Sequence, residues 1–278
     1  CNYGLTMAIF PATAIPSGAS DFTIPYSCRF AVDASLSQTL GTPTSLTTST
    51  LSMWVKRAKL GTVQRLWEAI GTGSCEGSFY FDSTDHLYIY MQDTGCTTDG
   101  ARLVTLAQYR DTSAWYHLLV STDTSNGVAG DRMKLWVNGV RVTDLNANEI
   151  THDSSEAVYW NSTAQSQVHY IGELSDTGYL DGYIAEMHFI DGTALTPTSF
   201  GETGDYGEWK PKKVSGLTYG TNGFYLDFAD AADLGDDESG NGNDWAESNI
   251  TAIDQMLDTP TNNFCTWNPF TTPAYTNT

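Results

Sequence analysis

The sequence predicts an all-β chain folded as a two-sheet sandwich, and three observations carry that expectation. Apolar and polar residues alternate over short stretches, helical periodicity is nearly absent, and clusters of Gly, Ser, Asn and Asp divide one stretch from the next. The 278 residues are 40% hydrophobic and 12% aromatic, enough to bury a full-sized core.

Taken in order, residues 1–20 are rich in Ala, Pro, Ser and Gly and read as an extended arm. "STLSMWVKR" places Leu51, Met53 and Val55 on one side of a strand and Ser52, Trp54 and Lys56 on the other. "SFYFDSTDHLYIYM" reads as a hairpin turning near Ser83–Asp85, and the mostly apolar "AWYHLLVSTD" suits a strand covered on both faces. In "DRMKLWVNGVRVTDL", Asn138-Gly139 supplies the two positive-φ positions of a type I′ turn. Val137 then faces Val140 and Leu135 faces Val142 on the core side, with Met133, while Lys134, Trp136, Arg141 and Thr143 take the other side. "VHYIGEL", "GYIAEMHFIDG" and "TNGFYLDFAD" are further strands, and "ALTPTSFGE" holds one helical turn. The basic "GEWKPKKVSG" at 207–216 reads as a junction. The expected organisation is an arm at 1–20, a sandwich at 21–206, and a C-terminal segment at 207–278 with added strands, an Asp/Asn/Gly loop and an irregular tail.

Acidic residues outnumber basic ones 33 to 13, for a net charge of −20. Such a surface repels phosphate backbones and anionic lipid, which argues against nucleic-acid and membrane-surface partners and suits an extracellular setting. No apolar run approaches the roughly 20 residues needed to cross a bilayer. The five cysteines are an odd number. Cys75 and Cys96 bracket the first hairpin, whose closure brings its ends together, so a disulfide there is geometrically natural in an oxidising compartment. Cys28 and Cys265 read as buried thiols.

"DDESGNGNDW", Asp236 to Trp245, invites two readings. Asp237, Ser239 and Asn241 followed by Gly242 match the first half of a calcium loop, with Asp244 in reach. The twelfth position is Ser248, which excludes an EF-hand. The alternative is a pair of tight turns for which Asn and Gly supply the backbone angles. Trp54 and Trp136 alternate onto the non-core side of their strands. There they either stack on sugar rings or pack against terminal segments or a neighbouring subunit. Glu173, Asp176, Asp181 and Glu186 lack the compact spacing of a glycanase carboxylate pair, and the five histidines show no paired metal spacing. No catalytic residue is expected.

The succession "LSMWVKR", "WYHLLVSTDT", "MKLWVNGVRV" and "LDGYIAEMHFIDGTALTPTSF", over about residues 22–200, resembles the laminin-G-like branch of the concanavalin A-like lectin/glucanase superfamily. That resemblance implies a jelly-roll of two antiparallel sheets. "MAIFPATAIPSG", "SCRF", "GTNGFYLDFAD", "DDESGNGNDW" and "LDTPTNNF" together look like structural proteins of marine bacteriophages, usually tail-fibre or other virion proteins. The expectation is therefore a non-enzymatic virion protein, tail-associated or capsid-decorating. Its expected partners are other virion proteins, copies of itself and host-surface glycan, and its one candidate cofactor is calcium. The alternative is a carbohydrate-binding module of a secreted or cell-surface bacterial protein, and a glycan-cleaving enzyme is the third reading.

Overall fold

The computed structural model describes residues 22–31, 33–72, 75–92, 99–146, 153–162, 166–174 and 177–263. The expected arm at 1–20, the end of the tail, Cys96, Cys265 and Asp176 lie outside them. The described chain opens with β1 (Ser27–Phe30), β2 (Ser35–Gln38), β3 (Thr48–Arg57), β4 (Gln64–Ile70), β5 (Glu76–Phe81) and β6 (His86–Gln92). It continues with β7 (Asp99–Gln108), β8 (Trp115–Asp123), β9 (Met133–Val137), β10 (Val140–Arg141), β11 (Val168–Ile171) and β12 (Gly182–Asp191). The last five are β13 (Gly201–Thr203), β14 (Trp209–Pro211), β15 (Phe224–Leu226), β16 (Ala246–Ser248) and β17 (Gln255–Met256). The expected helical turn is a 3-10 turn at Pro197–Ser199.

Two antiparallel sheets make the sandwich. Sheet A runs β10, β9, β8, β3, β12, β1, β17, with β15 also paired to β12; sheet B runs β16, β2, β11, β4, β5, β6, β7. Strands expected in the C-terminal segment are present and join the two sheets: β15 and β17 extend sheet A, and β16 extends sheet B.

Alternation decides what lies between the sheets. Leu51, Met53 and Val55 of β3 face inward with Leu118, Val120, Met133 and Leu135, opposite Phe79, Phe81, Leu87 and Ile89 of sheet B. Trp67 of β4 is the central contact, with its ring centroid 5.3 Å from Phe189, 5.8 Å from Phe224 and 5.7 Å from Trp245. Burying one such ring removes about 150–250 Å² from water, worth roughly 4–6 kcal/mol as an upper figure.

The β9–β10 hairpin has the expected turn, with φ of 48° at Asn138 and 78° at Gly139. Val137 pairs with Val140, and the Val142 amide donates to Leu135 O. One part of the expectation fails: Val140 is 70% exposed, because it sits at the tip of the edge hairpin, whereas Val137 and Val142 pack against the core. Gly139 is fixed twice over, since a Cβ there would lie 2.4 Å from the Trp209 ring.

One buried carboxylate ties distant segments together. Asp191, at the end of β12, accepts from the amides of Thr44 (2.6 Å), Ser45 (3.0 Å) and Asn222 (3.0 Å) and from Asn161 Nδ2 (2.6 Å). Asp191→Ala leaves four donors without an acceptor and should cost about 3 kcal/mol or more. A shift of the urea midpoint worth less than about 1 kcal/mol would show that these ties are dispensable.

Candidate functional site

On the outward face of sheet A the structure favours the second reading of Trp54 and Trp136, packing under other segments of the chain. Trp54 is 4% exposed and Trp136 is 8% exposed. Trp54 packs with Ile24, Trp115 and Ala185 under Phe22 and Trp209; Trp136 packs with Leu119, Ile190 and Phe200 under Leu195, Val214, Leu217 and Tyr219. The strand parity is as expected, but residues 22–24 and 195–219 cross over this face and bury both rings. Hydrogen bonds fasten the cover. Trp209 Nε1 donates to His117 Nδ1 at 3.0 Å, which leaves His117 Nε2 to donate to Ser52 Oγ at 2.9 Å. Burial, with a smaller push from His188, lowers the His117 pKa to about 3, so the ring is a neutral strut. Lys56, also wholly buried, pairs with Asp258 at 2.8 Å, and Trp115 Nε1 donates to the other oxygen of that carboxylate at 3.0 Å.

Asp237, Ser239, Asn241 and Asp244 are brought together, as a self-bonded turn. Asp237 Oδ1 accepts from the amides of Tyr225 and Ser239, both at 2.9 Å, and Oδ2 from Ser239 Oγ and the Asn243 amide, both at 2.8 Å. Asp244 Oδ1 accepts from the Asp237 amide at 3.1 Å. Asn241 Nδ2 donates to the carbonyls of Gly220 and Gly223, which removes two oxygens a cation would want. Four donors fill the four acceptor positions of the Asp237 carboxylate, so these residues do not fit calcium ligation as they stand. Among the described residues no group of three or more His, Cys, Asp or Glu side chains is placed to hold a metal ion. The loop's product is Trp245, whose amide donates to Gly235 O at 2.8 Å and whose ring enters the core. Cys75 is buried and disulfide-bonded, and its expected partner Cys96 lies outside the described residues. Cys28 is a buried thiol.

The outward face of sheet B is different. No hydrophobic cluster covers it among the described residues, and its cross-strand pairs form two rows. One row runs Ser37, Tyr170, Glu68, Ser78, Tyr90, Arg102; the next runs Arg65, Tyr80, Tyr88, Val104. Tyr80 and Tyr88 are half-buried and stacked, with centroids 4.9 Å apart and planes at 17°. The Arg65 guanidinium lies 4.2 Å over the Tyr80 ring. It also reaches Glu68 at 2.8 Å and Glu76 at 3.2 Å.

Ser78 sits between the two glutamates. Its Oγ is 2.5 Å from Glu68 Oε2, touches Glu76 Oε1, and accepts from Arg65 Nη1 at 3.1 Å. One hydroxyl hydrogen serves one of these carboxyls, so the other must bring its own proton. Glu68, wholly buried, is that group: desolvation outweighs the pull of Arg65 and raises its pKa to about 8. Arg65 reaches both glutamates, and Ser78 stands between their carboxyls.

The tyrosines of this face were legible as the alternate residues of "SFYF" and "LYIYM". Arg65 and Glu68 were not, because the register shift between Arg65 and Trp67 breaks the period of two that would have revealed them.

A family model, Laminin_G_3 of the concanavalin A-like lectin/glucanases superfamily, matches residues 33–199. No curated protein matches the sequence. Among solved structures, a candidate carbohydrate-binding protein of Bacteroides ovatus is similar with a TM-score of 0.57 at 15% identity, over 86% of this chain and 62% of its own. The LG4-5 domains of the mouse laminin α1 chain give 0.43 at 12% identity, over 76% and 52%. The CBM40 of a Ruminococcus gnavus sialidase, bound to α2,3 sialyllactose, gives 0.42 at 18% identity, over 55% and 80%. Identities this low speak to the fold alone.

Glu68 has its folded pKa above its unfolded value. The stability it supplies is thus complete below about pH 4.5 and lost as pH rises through about 8. The melting temperature should fall across that window, and Glu68→Gln should flatten the fall by several degrees. An unchanged slope in Glu68→Gln would place the proton elsewhere.

Proposed function

Since the chain belongs to the Laminin_G_3 family of the concanavalin A-like lectin/glucanases superfamily, we propose that it is a non-enzymatic glycan-binding domain whose ligand lies across the outward face of sheet B. The stacked Tyr80–Tyr88 pair under Arg65 carries this reading. Arg65 and Tyr88 occupy the two faces of Tyr80. The far face of Tyr88 and the outer edges of both rings are therefore what a pyranose ring would pack against, at small entropic cost because the sheet holds them in place. The charged and hydroxyl groups around them, Arg65, Glu76 and Arg102, supply the directional contacts that sugar hydroxyls need.

The same face argues against glycan cleavage. Hydrolysis asks for two carboxyl groups reaching opposite sides of a scissile bond. Glu68 and Glu76 are a close pair, but Glu68 is wholly buried and both are committed to Ser78 and Arg65.

The bacteriophage resemblance supplies a setting for this domain, the surface of a virion, tail-associated or capsid-decorating, among other virion proteins and copies of itself. A sandwich already covered on sheet A leaves sheet B for an external ligand, which suits such a position. Mass spectrometry finding the chain in stoichiometric copies in purified particles supports it; absence from particles moves the domain to a secreted or cell-surface protein.

Glycan-array screening followed by titration calorimetry tests the binding itself. The expected result is a saturable oligosaccharide ligand, no release of reducing ends, and at least a roughly tenfold weaker affinity for Tyr88→Ala, about 1.4 kcal/mol. A ligand bound equally by wild type and Tyr88→Ala would remove the sheet B site.

A further inference from the structure

A second cleft lies on the opposite side of the sandwich, over an irregularity in β12. Ile184 points into the core and Ala185 outward, so strict alternation would drive Glu186 into the core. The chain avoids this with a bulge: the β3 register shifts between Ala185 and His188, and Glu186 adopts φ 49°. A left-handed conformation at a non-glycine residue is strained. Met187 then regains the core, and the Glu186 carboxylate is turned aside beneath the cover segment.

There it is poorly matched. Its side chain is 6% exposed, and among the described residues its one hydrogen bond comes from Tyr225 OH, 2.9 Å to Oε2. His188 Nε2 approaches the same oxygen to 3.7 Å, too far to bond, while His188 Nδ1 is engaged with Tyr219 OH at 2.9 Å. Oε1 receives no donor from the described residues. Glu186 lines the cleft, so a donor entering it can complete this half-served carboxylate.

The space in front of it is a cleft of about 280 Å³, walled by Phe22, Leu217, Tyr219 and Tyr225, with Glu238 as a second carboxylate. The surrounding potential is negative. Asp227 is the main cause of a raised pKa at Glu238, and burial together with Glu186 raises the phenols of Tyr219 and Tyr225. Lys213 stands among the lining residues and makes no ion pair among the described residues.

We propose that this cleft binds a primary alkylammonium group of about one sugar ring in size, as in an unacetylated amino sugar. The ammonium donates to Glu186 Oε1 and faces Glu238, while its carbon frame lies against Tyr219, Tyr225 and Leu217. Carboxylates complete its hydrogen bonds and aromatic faces accept its charge. A divalent ion would need more oxygen ligands than two glutamates provide, and an anion would be repelled.

The test uses the whole chain and three probes, D-glucosamine, N-acetyl-D-glucosamine and Nα-acetyl-lysine amide, followed by NMR titration near pH 6.5. Glucosamine should bind in the millimolar range or better and shift the ring resonances of Tyr219 and Tyr225. N-acetylglucosamine, equal in frame but uncharged, should bind at least about tenfold more weakly. Glu186→Gln should cost a similar factor, and Glu238→Gln, at an exposed position that does not threaten folding, should cost less. Tighter binding of the lysine amide would keep the ammonium site and assign its natural occupant to a polypeptide. Equal affinity for glucosamine and its acetylated form, shifts confined to other tyrosines, or no binding in the millimolar range would overturn the proposal.

Discussion

The carboxylate of Asp191 accepts hydrogen bonds from three separate stretches of chain, at 44–45, 161 and 222. Two other buried acids act in the same way. Asp85 takes Arg57 (2.9 Å), Arg110 (3.1 Å) and the Gly61 amide (2.8 Å), and Asp258 takes Lys56 and Trp115. In a chain of net charge −20, most carboxylates repel one another across the surface. These three are withdrawn from that crowd and matched with donors, so loops far apart in sequence are fixed at the sandwich ends. The sheets are held by apolar packing, which has no direction; the loops are held by geometry-specific bonds to carboxylates.

The two outward faces follow from this arrangement. The cover over sheet A is fastened to His117 through Trp209, so that sheet is packed on both sides and even its outward polar residues Ser52, Lys56 and His117 are buried. Sheet B keeps the usual division, aliphatic inside and mixed outside, and its outer rows concentrate tyrosine, arginine and glutamate.

Much of this was legible in the sequence, and the failures have physical causes. The alternating β3, the long apolar runs of β8 and β12, and the Asn138-Gly139 turn declare themselves locally. Short strands such as β1, β2 and β16 do not, because three or four residues hold too little pattern. Trp54 and Trp136 were read on the right side of their strands. What covers them comes from residues 22–24 and 195–219, and no local pattern reports a contact of that range. The Asp237 loop shows the same limit, since Asp, Ser and Asn in alternation suit a cation and a self-bonded turn equally. Only the count of donors around one carboxylate separates them.

The pairing of β16 with β2 and of β17 with β1 joins the last described strands to the first. A ribosome making this chain releases Ser27–Phe30 long before Gln255–Met256 exists to lie beside it, so each sheet keeps an open edge until these later strands have been made. Such sequence-distant closure slows folding and leaves unpaired backbone exposed to neighbouring nascent chains. Efficient production should therefore depend on slow dilution or chaperone shelter more than on the final stability of the sandwich.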